Sequence, residues 1–129
     1  MENHFVEEGE KVFYIDNLEF SYIPVTAGEE NEWLNEYIIY KNTIDENGQN
    51  KLITTTDHSK LNKLKLSKLK KTPYTREVIK KIINIDKDWN ELNTDQKWNL
   101  LSKLKPKIFD EIIKNINKID IQTEETKNV

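Results

Sequence analysis

Residues 11–38, KVFYIDNLEFSYIPVTAGEENEWLNEYI, predict a β-hairpin followed directly by a helix. Two runs rich in aromatic and β-branched side chains, residues 11–15 and 18–25, flank the pair Asp16-Asn17. Asp and Asn tolerate the left-handed backbone conformation that a tight hairpin turn requires. Within the second run, large apolar side chains alternate with polar ones, which is the period of a strand with one buried face. We therefore expect the two runs to pair as antiparallel strands.

The helix is predicted from a capping motif. The Thr26 hydroxyl can accept a hydrogen bond from the backbone N–H of Glu29, and the Glu29 carboxylate can reach back to Thr26. Acidic side chains in the first turns also suit the positive end of the helix dipole. The apolar stripe that follows comprises Trp33, Leu34, Tyr37 and Ile38. We expect this helix to cover residues 27–41.

The middle of the chain has weaker patterns. Asn47-Gly48 lies between β-branched runs, so residues 43–57 are expected to form either a second hairpin or a flexible loop. The leucines of residues 60–71 fit neither the helical nor the strand period. An irregular segment with one turn of helix is expected there.

Three helices are predicted in the C-terminal half. The first begins at Thr72-Pro73 or at Thr75, Asn93 caps the second, and Pro106 occupies the first turn of the third. The residues expected to be buried in the first are Val78, Ile79, Ile82 and Ile83. The stripe expected in the third comprises Phe109, Ile112, Ile113, Ile116 and Ile119.

These elements predict an α+β fold. An N-terminal hairpin, with a second hairpin or a loop over 43–57, packs against about four short helices. We expect a flexible N-terminus over 1–10, a single domain over 11–121 and a disordered polar tail over 122–129.

The composition argues against catalysis. The 129 residues include no Cys, three scattered Gly and only two His, His4 and His58. Disulfides, thiolate chemistry, His-based metal sites and glycine-rich phosphate loops are therefore not expected. We expect no catalytic residues, no cofactor and no metal, and hence not an enzyme. No apolar stretch approaches the roughly 20 residues of a membrane-spanning helix, so no membrane association is expected.

Charge is divided between two segments of the chain. Residues 1–57 carry three lysines against thirteen acidic residues, whereas residues 58–118 carry sixteen basic residues against seven acidic ones. Such halves can attract each other within one fold, dock on copies of the same chain, or bind a charged partner. A merely solvated bipolar surface is the plainer interpretation.

Candidate partner-binding residues follow from this division. Acidic residues at the start of the first helix and lysines of the basic segment are expected to form complementary docking patches. These residues are Glu29, Glu30, Glu32, Lys63, Lys65, Lys68, Lys70 and Lys71. Trp89 follows a helix end in a charged stretch and is a candidate exposed anchor for another protein, although most tryptophans are core residues.

Nucleic-acid binding is the alternative function. Residues 60–81 contain nine basic residues and one acid, which could follow a phosphate backbone. The helical half also permits a helix-turn-helix interpretation, with residues 94–104 as the recognition element. Against it, Arg76 is the only arginine, and arginine is the usual residue for forked contacts with phosphates and bases.

Several segments resemble small accessory proteins encoded among the tail genes of phages and proviruses. These are YIPVTAGE at 22–29, WLNEY at 33–37, WNEL at 89–92, QKW at 96–98 and LKP at 104–106. The group they are most similar to is that of the tail-assembly chaperones, a hairpin followed by a helical domain.

The resemblance implies a non-catalytic assembly or structural protein, acting in the host cytoplasm or the virion. The partners it implies are a tape-measure or tail-tube protein and, often in that group, other copies of itself in a homo-oligomer. A small lysine-rich nucleic-acid-binding regulator is the alternative.

Overall fold

The computed structural model describes the backbone of residues 9–127 and the side chains of residues 9–122. Of the flexible N-terminus expected over 1–10, all but Gly9 and Glu10 lies outside this range. Five strands and five α-helices form an α+β fold in the described chain, which confirms the expected class. In chain order they are β1 (Lys11–Ile15), β2 (Leu18–Tyr22), α1 (Ala27–Tyr37), β3 (Ile38–Ile44), β4 (Asn50–Thr56), α2 (His58–Leu66), β5 (Leu69–Lys71), α3 (Arg76–Ile83), α4 (Thr94–Leu101) and α5 (Pro106–Lys127), with a 3-10 turn at Trp89–Glu91.

The first sheet contains the predicted N-terminal hairpin. Strands β1 and β2 are antiparallel and join through Asp16 and Asn17, whose φ angles of 50° and 65° are those of a left-handed hairpin turn. Strand β5 pairs with the other edge of β2, giving the order β1-β2-β5. The buried face of this sheet carries Phe13 and Phe20, whose rings stack with centroids 5.3 Å apart.

The core forms where the helices cover this face. Helix α5 contributes Ile112 and Ile116, which are fully buried, and the flanking Phe109, Ile113 and Ile119 pack against them, as the stripe predicts. The capping motifs at Thr26 and Asn93 are both present as predicted. Other fully buried core residues are Tyr22, Leu66, Leu69, Ile79 and Leu101.

The predicted end of the first helix is wrong by four residues. Helix α1 ends at Tyr37 and β3 begins at Ile38. Residues 38–40 are β-branched or aromatic, and pairing with Thr54–Thr56 satisfies their backbone groups in a strand instead of a fourth helical turn.

The segment expected to be irregular is a helix and a strand. Asp57 caps α2 by accepting the Lys60 N–H, and Leu69 then starts β5. Helix α2 contacts α1, α4 and α5, so leucines on several of its sides are covered and no single stripe is needed. This arrangement explains why neither periodicity fits the sequence.

Two further expectations are corrected in the C-terminal half. Val78 and Ile82 are exposed, because α3 packs mainly on α4 and only the face carrying Ile79 is fully covered. The tail expected to be disordered from Gln122 is helical to Lys127, since residues 122–127 include no Gly or Pro to end the helix.

Candidate functional site

The second hairpin projects from the domain, and residues 38–56 are named the hairpin arm. Its two strands pair antiparallel from Ile38 opposite Thr56 to Ile44 opposite Asn50. The Asp45 carboxylate accepts the N–H groups of Asn47 and Gln49 at 2.9 Å each and so closes the turn. A second hairpin was one of the two structures expected over 43–57, and it begins five residues earlier.

The two faces of the hairpin arm differ in chemistry. The apolar face carries Tyr40, Ile44 and Leu52, whose exposed fractions are 56%, 69% and 62%. The opposite face, named the lysine face, combines charged and apolar side chains. Its residues are Ile39, Lys41, Thr43, Lys51, Ile53 and Thr55.

Neither strand of the hairpin arm packs extensively against another described element. A two-stranded ribbon is marginally stable alone in water, and grouped exposed apolar side chains mark interaction surfaces. The hairpin arm is therefore a candidate interaction surface.

The base of the hairpin arm is fixed by the helices on either side. The backbone N–H of Asp57 donates to the Tyr37 carbonyl at 2.6 Å, which closes the loop between α1 and α2. Tyr37 is buried, and this burial, followed by the charge of Glu30, raises its pKa. The base of the hairpin arm is therefore fixed relative to α1 and α2.

A cleft of about 410 Å³ lies at this base, between α1, α2 and α5. Trp33, Tyr37 and Leu61 supply apolar walls, while Lys65 and Asp120 supply polar groups. An apolar cleft with a few convergent polar groups is a usual form of binding site.

The polar groups of the cleft satisfy one another. Asp120 accepts hydrogen bonds from the Tyr22 hydroxyl at 2.9 Å and the Val25 N–H at 3.1 Å, and it pairs with the Lys65 ammonium at 2.7 Å. Lys65 also donates to the side-chain oxygen Oδ1 of Asn117 at 2.6 Å. Burial, followed by the Asp120 charge, raises the pKa of Tyr22 far above its usual range, so the phenol stays a hydrogen-bond donor. The cluster joins β2, α2 and α5.

Most of the lysines expected to form a docking patch are paired within the chain. Lys63 pairs with Asp95, Lys65 with Asp120, Lys68 with Glu29 and Lys71 with Glu19. Lys70 is exposed and makes no ion pair within the described residues. Two of these pairs, Lys68–Glu29 and Lys71–Glu19, join the acidic segment 1–57 to the basic segment 58–118.

The acidic candidates likewise divide into one paired residue and two unpaired ones. Burial alone would raise the pKa of Glu29, but hydrogen bonds from Lys68 and Thr26 outweigh it and hold the pKa below its usual value. Glu30 and Glu32 are exposed and form no ion pair in the described part of the chain, and neither does Glu36. Helix α1 thus keeps an uncompensated negative charge.

The expectation of an exposed Trp89 is wrong. Its side chain is 5% exposed, and its indole N–H donates to the Leu69 carbonyl at 2.8 Å. The Lys97 ammonium lies 5.2 Å from the ring centroid, and burial lowers the pKa of Lys97. The 3-10 turn folds Trp89 back onto β5, which a charged local sequence does not reveal.

Sequence reasoning missed the apolar face of the hairpin arm. Ile38, Tyr40 and Ile44 occur at spacings of two and four, which is the strand period, but they were assigned in part to the preceding helix. The available signal was the β-branched Ile38-Ile39 followed by Tyr40, a run that favours a strand over a helix.

Comparison with known proteins gives no relative. No protein-family model matches the chain, and no curated protein or solved structure is significantly similar to it. No helix of the described chain is both long and apolar enough to cross a membrane. Within residues 9–127, no three His, Asp or Glu side chains are grouped so that they could hold a metal ion. The resemblance to tail-assembly chaperones stays a prediction.

Proposed function

We propose that this protein is a non-catalytic assembly or structural protein that binds another protein through the apolar face of its hairpin arm. The observation that carries the proposal is the open row of Tyr40, Ile44 and Leu52 on a ribbon that no other described element covers. Each of the three is more than half exposed, so a partner that covers them gains a large part of the about 1.5–3 kcal/mol that full burial of one such side chain contributes.

Backbone groups add to this surface. Within the described residues, the outer edges of both β3 and β4 are unpaired, so an extended segment of the partner can add a strand to either edge. Strand addition supplies hydrogen bonds, while the apolar face selects among partner sequences.

The resemblance in sequence supplies the biological setting of the proposal. We take the partner to be a tail structural protein of a phage or provirus, of the tape-measure or tail-tube kind, met in the host cytoplasm or in the virion.

The nucleic-acid alternative receives less support. Four of the lysines that would contact phosphates form ion pairs within the chain, which lowers the positive charge presented by residues 60–71. Arg76 is paired as well, so the exposed cations of residues 60–81 that make no ion pair in the described chain are Lys60, Lys70, Lys80 and Lys81, a smaller phosphate-binding footprint than the sequence predicts.

Photo-crosslinking in the natural host tests the proposal. A benzophenone amino acid replaces Tyr40 in the hairpin arm, and in a matched control it replaces Asn99, an exposed residue of α4. We expect a tail structural protein crosslinked from position 40 and not from position 99, with loss of the product when Leu52→Ser is added. Equal products from both positions, or nucleic acid as the product, would contradict the proposal.

A further inference from the structure

We infer that the lysine face of the hairpin arm docks on α1 of a second copy of this chain, so that two copies exchange arms reciprocally. The inference rests on the proposed role of the hairpin arm as a binding element. It assigns a partner to the face opposite the one proposed to bind a tail protein.

The lysine face offers two positive charges with apolar neighbours. Lys41 lies opposite Ile53 and Lys51 lies opposite Thr43, so the two lysines extend from different strands of the same face. Neither lysine makes an ion pair within residues 9–122. Ile39 lies on the same face and is partly exposed.

Helix α1 offers a complementary surface. It packs on the domain through Glu29, Trp33 and Tyr37, which lie four residues apart on one stripe. The remaining circumference faces solvent, with Asn31 and Asn35 at its middle and Leu34 exposed nearer the flank of Glu30. The uncompensated acids Glu30, Glu32 and Glu36 flank this outward side, Glu30 on one flank and the other two on the opposite flank.

Neither strand of the hairpin arm packs extensively on the α1 helix of its own chain. Strand β3 follows α1 with no intervening residue, and about 13 Å of extended chain separates Lys41 from the helix end. When two copies lie antiparallel, the hairpin arm of each can lie along α1 of the other. Its strands, about 23 Å long, exceed the roughly 16 Å length of α1.

The area buried in the contact sets the expected strength of the dimer. One face of the ribbon presents roughly 230 Å², so a reciprocal dimer buries about 900 Å² in total. This area is below the roughly 1,200 Å² of standard stable interfaces. We therefore expect a weak dimer whose formation depends on concentration and falls with salt.

Sedimentation velocity of the full chain with charge-reversed variants tests the inference. At about 50 mM salt we expect the wild type to form dimers as concentration rises, with dissociation at about 500 mM. We expect the dissociation constant to increase at least about tenfold in Lys41→Glu/Lys51→Glu, and similarly in Glu30→Lys/Glu32→Lys/Glu36→Lys. The control Lys105→Glu/Lys107→Glu, which makes the same charge change at the exposed start of α5, should retain the wild-type constant.

Mixing the two variants provides the decisive result. In one contact of the mixed dimer, the lysine face made negative by substitution meets the α1 made positive. In the other contact, the unchanged lysine face meets the unchanged acidic α1. An equimolar mixture should therefore regain dimers. Unfolded variants would not regain them. A wild type that stays monomeric at low salt, a mixture that fails to associate, or dimers abolished by the control pair would each overturn the inference.

The two proposals fail separately. A monomer that still crosslinks a tail protein from position 40 overturns the exchange of arms and leaves the proposed function standing. A salt-sensitive dimer with no tail-protein product from position 40 contradicts the proposed function and leaves the exchange of arms standing.

Discussion

Asp120 connects three elements through one carboxylate. It binds Tyr22 of β2, the backbone after that strand, and Lys65 of α2. The Lys65–Asp120 pair is largely shielded from solvent, so removing one partner leaves the other charge without compensation. None of these contacts is predictable from sequence, because about a hundred residues separate Tyr22 from Asp120.

We predict that Asp120→Asn lowers the free energy of unfolding by about 2–3 kcal/mol, since the amide keeps the size of the side chain and loses its charge. Urea unfolding monitored by tryptophan fluorescence measures the change. The control Asp110→Asn, at an exposed position of the same helix, should change stability by less than about 0.5 kcal/mol. Equal losses in the two variants would show that the network contributes nothing specific.

Glu29 gives the fold a dependence on pH. Its folded-state pKa lies below the ordinary 4.5, so ionised Glu29 contributes stability above that pH, and the contribution is lost as pH falls through the folded-state pKa. We predict that Glu29→Gln has a smaller loss of stability than wild type on acidification below pH 4.5. Urea midpoints collected between about pH 6 and pH 3 measure this, and parallel curves for the two proteins would refute it.

At the scale of elements, turns and caps were predictable because the interactions that define them span few residues. The Asp16-Asn17 turn and the caps at Thr26 and Asn93 each involve at most four consecutive residues. The end of α1 was not predictable in this way. The partners that convert residues 38–40 into a strand come from Thr54–Thr56, on the far side of a turn.

The Asp16-Asn17 turn leads to a stability prediction. Asn17 has a φ angle of 65°, which Gly adopts without steric cost, so Asn17→Gly should stabilise the fold by about 0.5–1 kcal/mol. Asn17→Ile should destabilise it by about 1–2 kcal/mol, because a β-branched side chain is strained there. Thermal unfolding measures both, and an unchanged midpoint in the Ile variant would contradict the assigned turn.

On the scale of the whole molecule, we expect the domain to fold without the hairpin arm. No residue of 39–55 belongs to the hydrophobic core of the described chain. Replacing 39–55 by Asn-Gly, which joins the register partners Ile38 and Thr56, should change the free energy of unfolding by less than about 1 kcal/mol. The variant should lose the dimer. A loss above about 2 kcal/mol in urea unfolding would show that the arm supports the core.

The sequence by itself determined the fold class, the first hairpin, the capped helices and the stripe of α5, since each depends on a local period or a short motif. Tertiary structure alone decided which lysines are paired, that Trp89 is buried and that β3 replaces the last turn of α1. These outcomes depend on groups distant in the chain. Two lysines look alike in the sequence, and they differ in what they can bind only after folding has buried one and left the other in solvent.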